Sequence, residues 1–485
     1  MTKITLFIAF SIISRISFAQ ECNCEANLNW VRQTFEQNDA GFEYALETKG
    51  EEAYQKHNEI FNLKVKEIKN STECTLFLYQ WLLFFRDGHI AIQRNENFKD
   101  TTSKNEPKEE IKQKTKWETI EVDVKEFTNY LNAKKDIDYE GIWDLNPYKI
   151  GIKKVDNNYL GFIIESSVEN WKVGDVKLKF NIENQKVHST FYLRNKTSQE
   201  SDIVKSFGNN YLQVGNFTMK RISPTYSTEK HIEEYFKLIN ADKPYLEELN
   251  PTTLILRIPS FDHSQKEKID SVIKKNKNMI LSTENLIIDL RNNGGGSDIS
   301  FNEIIPLIYT NPMTSFGVEY YSTKLNNQRM LDFIHKSEYG SSKEDKIWAQ
   351  ESFDKLEKQL GQFVNLDTIN VSQLKLDTVY EYPKNVGIII NKGNASTTEE
   401  FILTAKQSKK VKFYGTSTFG MLDISNMYFI NSPCNEFKLG YCLTKSLRLP
   451  KIKIDGIGLQ PDFIIDESIP DYDWVDYVNK SLNNK

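Results

Sequence analysis

The segment NLIIDLRNNGGGSD, residues 285–298, is the feature that most restricts the fold. An apolar run gives way to a polar turn and then to three consecutive glycines at 294–296. Such apolar runs are typical of a strand buried on both faces of a sheet, and ligands in α/β folds bind at the ends of these strands. Glycine lets the backbone turn sharply and leaves its N–H groups accessible. The segment therefore predicts an α/β sheet with an anion- or oxyanion-binding loop, which we expect Arg291 and Asn293 to brace.

The C-terminal half of the chain continues this pattern. The apolar runs TLILRIPSF and NVGIIIN lie on either side of NLIIDLR along the chain, and the helical candidates are SFNEIIPLIY, WAQESFDKLEKQL and TEEFILTAKQS. Alternation of strands and helices is typical of a sheet with a helical connection after each strand. We therefore predict an α/β domain over residues 226–485.

The remainder of the chain divides by its periodicity. Residues 20–100 carry apolar and charged residues at helical spacing and are predicted to form an N-terminal helical domain. Residues 101–138 are strongly charged and are predicted to be a linker, although a solvated helix through the Glu/Lys run fits equally well. Residues 139–225 contain short alternating segments bounded by Asn, Gly and Asp, which predict a small all-β domain, either a sandwich or a small barrel.

Composition and the first residues restrict the function. The 485 residues include 62 basic and 67 acidic side chains, and this balance argues against a nucleic-acid-binding protein. Residues 1–19 combine Lys3, an apolar stretch and the small residues Ser17 and Ala19, which predicts a signal peptide cleaved near Ala19. No later segment is apolar enough to span a membrane. We therefore expect an exported protein, periplasmic or secreted, with no integral membrane segment in the mature chain.

The five cysteines suit an oxidising compartment. Cys434 and Cys442 bracket NEFKLGY, and this spacing predicts a disulfide that closes a hairpin. Either Cys22 or Cys24 is expected to pair with Cys74, which leaves one thiol unpaired. A metal site is the rival interpretation, but Cys-x-Cys is not the usual zinc spacing and no histidine lies close in the sequence. We predict disulfides, with neither a metal nor a cofactor.

A second apolar strand ends next to a serine. In VGIIINKGNASTTEEF the strand ends at Asn391, and Ser396 immediately precedes a helical segment. One explanation is a capping box, in which Ser396 caps the helix and Glu399 reaches back to it. The other is a nucleophile whose oxyanion lies at the helix N-terminus. Spacing alone favours the cap.

Four segments together resemble the C-terminal-processing (tail-specific) and tricorn-like serine peptidases. They are NLIIDLRNNGGG, INKGNASTTEEFILTAKQ, VKFYGTSTFGMLD and DGIGLQPDFII, and they follow the family order between about Leu254 and Ile465. Any one of them alone is unspecific, but the ordered set is specific. The resemblance implies a crotonase-like (ClpP/crotonase-type) α/β peptidase core and a serine-type peptidase.

The resemblance assigns roles to individual residues. Ser396 matches the nucleophilic serine, and Gly295 and Gly296 match the glycines that supply an oxyanion-hole N–H, with the Thr397 N–H as their expected partner. The processing peptidases carry a lysine at the position that Met421 occupies here. Methionine accepts no proton, so the Ser–Lys dyad is missing and another base is required.

The tricorn-like branch uses a histidine and an acidic residue instead. His89 lies in LLFFRDGHIAI, where members of that branch carry a D-G-H or S-H segment, and Gly88 replaces the serine of some members. Asp455 matches an acidic residue of the closing motif that is usually the longer glutamate. We predict that neutral His89 takes the Ser396 proton and that Asp455 orients the imidazole. His263 is a second candidate base.

These expectations favour an exported serine endopeptidase that hydrolyses peptides or unfolded proteins. The alternative is a catalytically inactive protein on the same fold that binds peptides or apolar ligands, and Met421, Gly88 and the aspartate at position 455 favour it. The β-domain lies near the position where the processing peptidases insert a PDZ domain, but it contains no recognisable peptide-carboxylate loop. The sequence gives no oligomeric state.

Overall fold

The computed structural model divides into two compact units, which we describe separately. The first comprises residues 1–104, 241–469 and 474–485, and the second comprises residues 105–240 and 470–473. No helix in the described part of the chain is long and apolar enough to cross a membrane. The predicted signal peptide lies outside the described residues. The residues that the structure describes are 22–95, 98, 117–183, 186–227, 229–367 and 369–484.

The first unit begins with four helices and a short strand. The Asn23 and Asn70 side chains accept the N–H groups of Ala26 and Glu73, at 2.8 and 2.9 Å, and so define where the first and fourth helices begin. A loop that carries His89 joins the fourth helix to the strand. The elements are α1 (Cys24–Asn38), α2 (Phe42–Lys49), α3 (Glu51–Lys64), α4 (Ser71–Leu82) and β1 (Ala91–Arg94).

These helices share a core with a distant part of the chain. Phe35 and Trp81 are fully buried in one apolar cluster with Phe437 and Tyr441. The helices cannot cover their apolar faces on one another alone, so those faces pack on the C-terminal strands. The described residues between 22 and 98 are therefore part of the first unit, whereas the helical spacing over residues 20–100 predicted a separate domain.

The second unit contains one antiparallel sheet of nine strands in the order β7-β6-β5-β4-β3-β2-β10-β9-β8. Its strands occupy the segment in which alternation predicted a β-domain. The elements are α5 (Val124–Ala133), β2 (Gly141–Leu145), β3 (Tyr148–Val155), β4 (Asn158–Ser166), β5 (Val176–Glu183), β6 (Lys186–Tyr192), β7 (Ser198–Ser201), β8 (Val204–Phe207), β9 (Tyr211–Val214), β10 (Phe217–Ser223) and α6 (Lys230–Ile239).

The predicted linker over residues 101–138 is corrected where the structure describes it. Asp123 caps α5 by accepting the Lys125 N–H at 2.8 Å. The apolar face of α5 buries Phe127 and Leu131 against Phe162 of the sheet. The high charge of the segment concealed this amphipathic helix, because its solvent face is polar while one side is apolar.

The rest of the first unit is built on a six-stranded sheet in the order β11-β12-β13-β18-β19-β22. All neighbouring strands in it are parallel except β11 and β12. The elements of this part are β11 (Tyr245–Asn250), β12 (Thr253–Arg257), α7 (Lys266–Lys275), α8 (Lys277–Ile280), β13 (Asn285–Asp289), α9 (Ile305–Ile308), β14 (Met313–Phe316), β15 (Val318–Tyr321), α10 (Gln328–His335), α11 (Lys343–Glu357), β16 (Phe363–Val364), β17 (Val371–Leu374), β18 (Asn385–Ile390), α12 (Thr397–Ala405), β19 (Val411–Gly415), β20 (Ile424–Asn431), β21 (Phe437–Ser446), β22 (Phe463–Ile464) and α13 (Trp474–Asn483).

Two smaller sheets complete the first unit. β21 pairs with β1, β15 and β20, and β14 pairs with β17. In the large sheet every residue of β12 and β13 is buried, which agrees with their continuous apolar sequence. The α/β architecture predicted from the alternation is therefore present in this unit as a mixture of helices and parallel strands.

Candidate active site

The two polar strand ends noted in the sequence lie side by side. β13 pairs in parallel with β18, with Asp289 opposite Ile389, so the loops that follow both strands emerge at the same edge of the sheet. Asn391 joins the loops, because its side chain accepts the Asn292 N–H and donates to the Asn292 side chain, both at 2.9 Å. The Asn394 side chain donates to the Asn293 carbonyl at 3.1 Å. The glycine loop and the serine loop thus form one rigid structure.

Asn293 braces the glycine loop from inside. Its buried carboxamide oxygen accepts the N–H groups of Gly295 and Phe261, at 3.0 and 3.2 Å, and the Thr398 hydroxyl at 2.9 Å. Arg291 is also buried and pairs with the Asp289 carboxylate at 2.6 Å. The structure therefore gives these polar side chains the bracing roles expected of them.

Steric contacts explain why positions 295 and 296 are glycine. Gly295 has φ +100°, and a Cβ there would lie 2.7 Å from the Ala395 carbonyl oxygen and 2.9 Å from the Thr397 nitrogen. Gly296 has φ +146°, and a Cβ there would lie 2.4 Å from the backbone of Phe261. Only glycine allows the loop to approach the serine turn this closely.

The predicted donor role of Gly295 is wrong, because its N–H already donates to Asn293. The N–H groups of Gly296 and Thr397, by contrast, donate to no acceptor among the residues that the structure describes. Both residues line the same cleft. Two unoccupied backbone donors that face one cleft are the arrangement that an oxyanion requires.

Ser396 occupies a sharp turn between β18 and α12. Its backbone has φ 56° and ψ −125°, whereas an ordinary helix-capping residue is extended. A non-glycine residue in this region is strained, and such strain is concentrated at functional sites. The Ser396 N–H is held by the Met421 carbonyl and by the Glu399 carboxylate, both at 3.1 Å. A strained serine between a strand and a helix is the geometry of a nucleophile elbow.

Glu399 accepts more hydrogen bonds than the predicted capping box requires. This fully buried carboxylate also accepts the N–H groups of Gly420 and Met421, both at 2.8 Å, and the Thr418 hydroxyl. Burial raises the pKa of Glu399, and these hydrogen bonds act in the opposite direction. The capping-box spacing was the only sequence signal for Glu399, and it gave no sign that the residue joins the serine turn to the loop that carries Met421.

His89 lies in the loop between α4 and β1, in the same cleft as Ser396. Its Nδ1 is 2.7 Å from the Ile424 carbonyl oxygen. A carbonyl only accepts, so in the neutral ring Nδ1 carries the proton and Nε2 has the free lone pair. The pKa of His89 is lowered to about 4, chiefly by burial; the hydrogen bond to Ile424 opposes this shift, and the nearby charge of Arg86 contributes to it. No hydrogen bond joins the Ser396 hydroxyl to the His89 ring in the described structure.

The prediction that Asp455 contacts His89 is wrong. Its Oδ1 accepts the N–H groups of Leu422 and Asp423, at 2.6 and 2.7 Å. The Asp423 carboxylate in turn accepts the Asp455 N–H at 2.8 Å. Burial, followed by mutual repulsion, raises the pKa of Asp423, and burial raises the pKa of Asp455. The shorter aspartate holds the backbone next to Ile424, and the Ile424 carbonyl holds the imidazole.

Met421 and Gly88 are in direct contact. A Cβ at Gly88 would lie 2.1 Å from the Met421 sulfur, and the same sulfur accepts the His89 N–H at 3.0 Å. The second candidate base, His263, lies on an exposed turn and does not line the cleft. His89 is therefore the histidine that the fold places with Ser396.

The predicted Cys434–Cys442 disulfide is wrong. The structure pairs Cys22 with Cys434 and Cys24 with Cys74, and leaves Cys442 as a buried thiol. Cys442 lies within β21, where Met427 is its cross-strand neighbour, while Cys434 lies in the turn between β20 and β21. The two residues are therefore at different levels of the hairpin.

One described group has the spacing of metal ligands, namely Cys22, Cys434 and Glu436. Its two sulfur atoms form a disulfide, so Glu436 is the only ligand that remains. The Glu436 carboxylate already accepts hydrogen bonds from Asn27 and Ser71. None of these three residues lines the cleft that contains Ser396.

The cleft next to Ser396 has a volume of about 830 Å³, large enough for several side chains of a peptide. Its walls combine apolar, hydroxyl and charged groups. Ser396, His89, Gly296 and Thr397 line this cleft. Its walls also include Asp298, Ile299, Phe316, Arg329, Leu374, Glu400 and Arg448.

Comparison with known proteins identifies the family and the fold. Residues 252–465 match the model of Peptidase family S41. No curated protein matches the chain. Among solved structures, mature CPAF has a TM-score of 0.51 at 12% identity, over 95% of this chain and 96% of that chain. Mature CPAF complexed with lactacystin has a TM-score of 0.51 at 13% identity, over 96% and 99%. At these identities the likeness shows a shared fold.

Residues 252–465 belong to peptidase family S41, and the resemblance to tail-specific and tricorn-like serine peptidases is confirmed. The protein is a serine-type peptidase. The matched segment contains Ser396 and the glycine loop but excludes His89, which the fold brings to the cleft from the N-terminal helices.

Proposed function

We propose that the protein is an exported serine endopeptidase in which Ser396 is the nucleophile and His89 is the general base. The observation that carries the proposal is the strained Ser396 turn, which shares one cleft with His89 and with two unoccupied N–H donors. A peptide or an unfolded segment is the substrate, because the family hydrolyses peptide bonds and the cleft is open to solvent. The two disulfides and the signal sequence support export.

The reaction begins with proton transfer from the Ser396 hydroxyl to Nε2 of neutral His89. The serine oxygen attacks the substrate carbonyl, and the resulting oxyanion accepts the N–H groups of Gly296 and Thr397. The imidazolium then gives its proton to the leaving amine. Water hydrolyses the acyl-enzyme by the same route, with His89 again taking the proton.

The orienting group in this proposal is the Ile424 carbonyl. It fixes the Nδ1–H tautomer that leaves Nε2 free, which is the positioning function of the acid in a Ser-His-acid set. A carbonyl carries no net charge, so it stabilises the imidazolium less than a carboxylate does. We therefore expect a lower kcat than a carboxylate-supported histidine would give. Asp455 supports the backbone immediately before Ile424 by accepting the N–H groups of Leu422 and Asp423.

Peptide cleavage tests the proposal. The purified mature protein should cleave a diverse peptide mixture, with the products read by mass spectrometry, and Ser396→Ala and His89→Ala should each abolish cleavage. Ser425→Ala is the matched control, because Ser425 lines the same cleft and its hydroxyl contacts only Thr444. Cleavage that survives in Ser396→Ala would refute the proposed nucleophile. Intact peptides with every variant, including the wild type, would favour the alternative of a binding protein on this fold.

A further inference from the structure

Asp298 is a cleft carboxylate that the proposed mechanism does not use. It follows Gly296 by two residues and is accessible to solvent within the cleft. Its Oδ1 accepts the Thr397 hydroxyl at 2.8 Å. No cationic side chain pairs with it in the described structure. Asp298 is thus held beside the residue whose N–H is the proposed oxyanion donor.

The other charged groups of the cleft already have partners. Arg448 pairs with Glu400 at 3.0 Å, and the Arg448 side chain is almost fully buried. Arg329 lies over the rings of Phe333 and Tyr339 and donates to the Tyr339 hydroxyl at 2.7 Å. His89 is neutral near pH 7 because its pKa is lowered to about 4. Among the described residues that line the cleft, Asp298 is therefore the carboxylate without a cationic partner.

Apolar side chains line the same cleft as this carboxylate. Ile299, Phe316 and Leu374 line it, and their exposed fractions are 45%, 37% and 41%. A lysine or arginine side chain matches such a surface, because its aliphatic stem packs on apolar groups while its charged end reaches a polar one. An uncharged apolar side chain would cover the Asp298 carboxylate without supplying a partner, which is unfavourable.

We infer that Asp298 selects a lysine or arginine side chain at the substrate residue whose carbonyl Ser396 attacks. The inference rests on the proposed function, because the position of that residue is defined by the oxyanion donors Gly296 and Thr397. Thr397 links the two sites, since its N–H faces the oxyanion position and its hydroxyl holds Asp298. Asp298 is a specificity-determining residue and takes no part in proton transfer.

The first test measures binding without turnover. Two peptides that differ only by lysine or norleucine at the selected residue are titrated against the Ser396→Ala protein by fluorescence anisotropy. We expect the lysine peptide to bind about tenfold more tightly, which is the usual gain from a charged hydrogen bond in a partly enclosed site. Asp298→Asn in the same background keeps the acceptor for the Thr397 hydroxyl and removes the charge. It should abolish the difference between the peptides, because the lysine peptide loses its charged partner and the norleucine peptide no longer covers an unpaired carboxylate.

The second test uses the wild type and Asp298→Asn with the same peptides. Cleavage after lysine and arginine by the wild type, together with a tenfold fall in kcat/KM for the lysine peptide alone in Asp298→Asn, would support the inference. Equal binding of both peptides, or an equal loss for both in the variant, would overturn it and show that Asp298 only supports Thr397. If no peptide is cleaved but the binding difference persists, the proposed function fails and the binding specificity stands. If the wild type cleaves peptides without a preference for basic residues, the proposed function stands and the inference about Asp298 fails.

Discussion

The acid limb of the pH–rate profile is the most direct test of His89. An ordinary histidine with a pKa of about 6.5 is only about one-tenth neutral at pH 5.5. Burial lowers the pKa of His89 to about 4, so its ring stays almost entirely neutral at pH 5.5. This lowering corresponds to about 3 kcal/mol between the protonated and neutral forms of the buried ring. We therefore expect kcat/KM to be nearly unchanged from pH 7 to pH 5.5 and to fall with an apparent pKa near 4.

The assay follows kcat/KM on a norleucine peptide between pH 3.5 and pH 8, because that profile reports the free enzyme's base and an uncharged substrate avoids titration of the Asp298 contact. His263→Asn is the matched control, since His263 is exposed and lies outside the cleft. Its acid limb should coincide with that of the wild type. An apparent pKa near 6.5 in the wild type would refute the argument, because it would mean that the catalytic imidazole is solvated or is not His89.

The lowered pKa of His89 also makes the free energy of unfolding depend on pH. The folded pKa of His89 lies below its unfolded value, so unfolding takes up a proton between about pH 6.5 and pH 4. The contribution of His89 is therefore favourable above pH 6.5 and is lost as the pH falls towards 4. Replacing His89 with Gln should reduce the acid sensitivity of the free energy of unfolding by up to about 3 kcal/mol over this range. Denaturant titrations at pH 7 and pH 4.5 would measure it, and an unchanged pH dependence would contradict the burial of the ring.

Three further predictions concern other parts of the structure. Glu399→Gln should lower kcat at least tenfold with little change in KM, because one carboxylate oxygen accepts the Ser396 and Met421 N–H groups and the other accepts the Gly420 N–H, whereas glutamine has only one acceptor oxygen; steady-state kinetics would show this, and an unchanged kcat would contradict the positioning role. Gly88→Ala should remove most activity by displacing Met421, and the double variant with Met421→Ala should recover part of it, since the new methyl group then has room; strictly additive losses would show that the two positions are uncoupled. Lys177 is fully buried without a hydrogen-bond partner, 3.9 Å from the centre of the Trp171 ring, and burial lowers its pKa to about 7. Because this pKa lies below the unfolded value, the wild type should gain stability as the pH rises from 7 to 10. Lys177→Met should be more stable than the wild type by about 1–3 kcal/mol at pH 6, and by less at pH 9.5. Denaturant unfolding of both proteins at the two pH values measures these differences.

The sequence was most informative where local patterns decide the structure. Continuous apolar runs predicted β13 and β18, and adjacent parallel strands necessarily bring their following loops together. The glycines at 295 and 296 were recognisable because no other residue permits so close an approach to the serine turn. Ser396 and the glycine loop were therefore predictable before any coordinates.

The errors concern contacts between distant residues. The Gly295 N–H is occupied by the Asn293 side chain, and no local pattern distinguishes it from the free Gly296 N–H. The group that orients His89 is a backbone carbonyl, which every residue carries, so the sequence offered no signal for Ile424. The Cys434–Cys442 pairing failed because only the folded chain brings Cys22 to Cys434, whereas the pairing of Cys24 with Cys74 was one of the two predicted options.

The two departures from the family pattern, Gly88 and Met421, are one feature of the structure. The loop that carries Met421 uses its backbone to hold the serine turn, through the Met421 carbonyl on Ser396 and the Met421 N–H on Glu399. Those contacts do not depend on the side chain at position 421. The methionine sulfur is therefore free to accept the His89 N–H, and it fits there only because Gly88 has no Cβ. A lysine replaced by methionine would by itself indicate a dead enzyme. In this chain the same replacement positions the histidine that we propose as the base, so the departure is compatible with the peptidase and does not by itself favour the inactive binding protein.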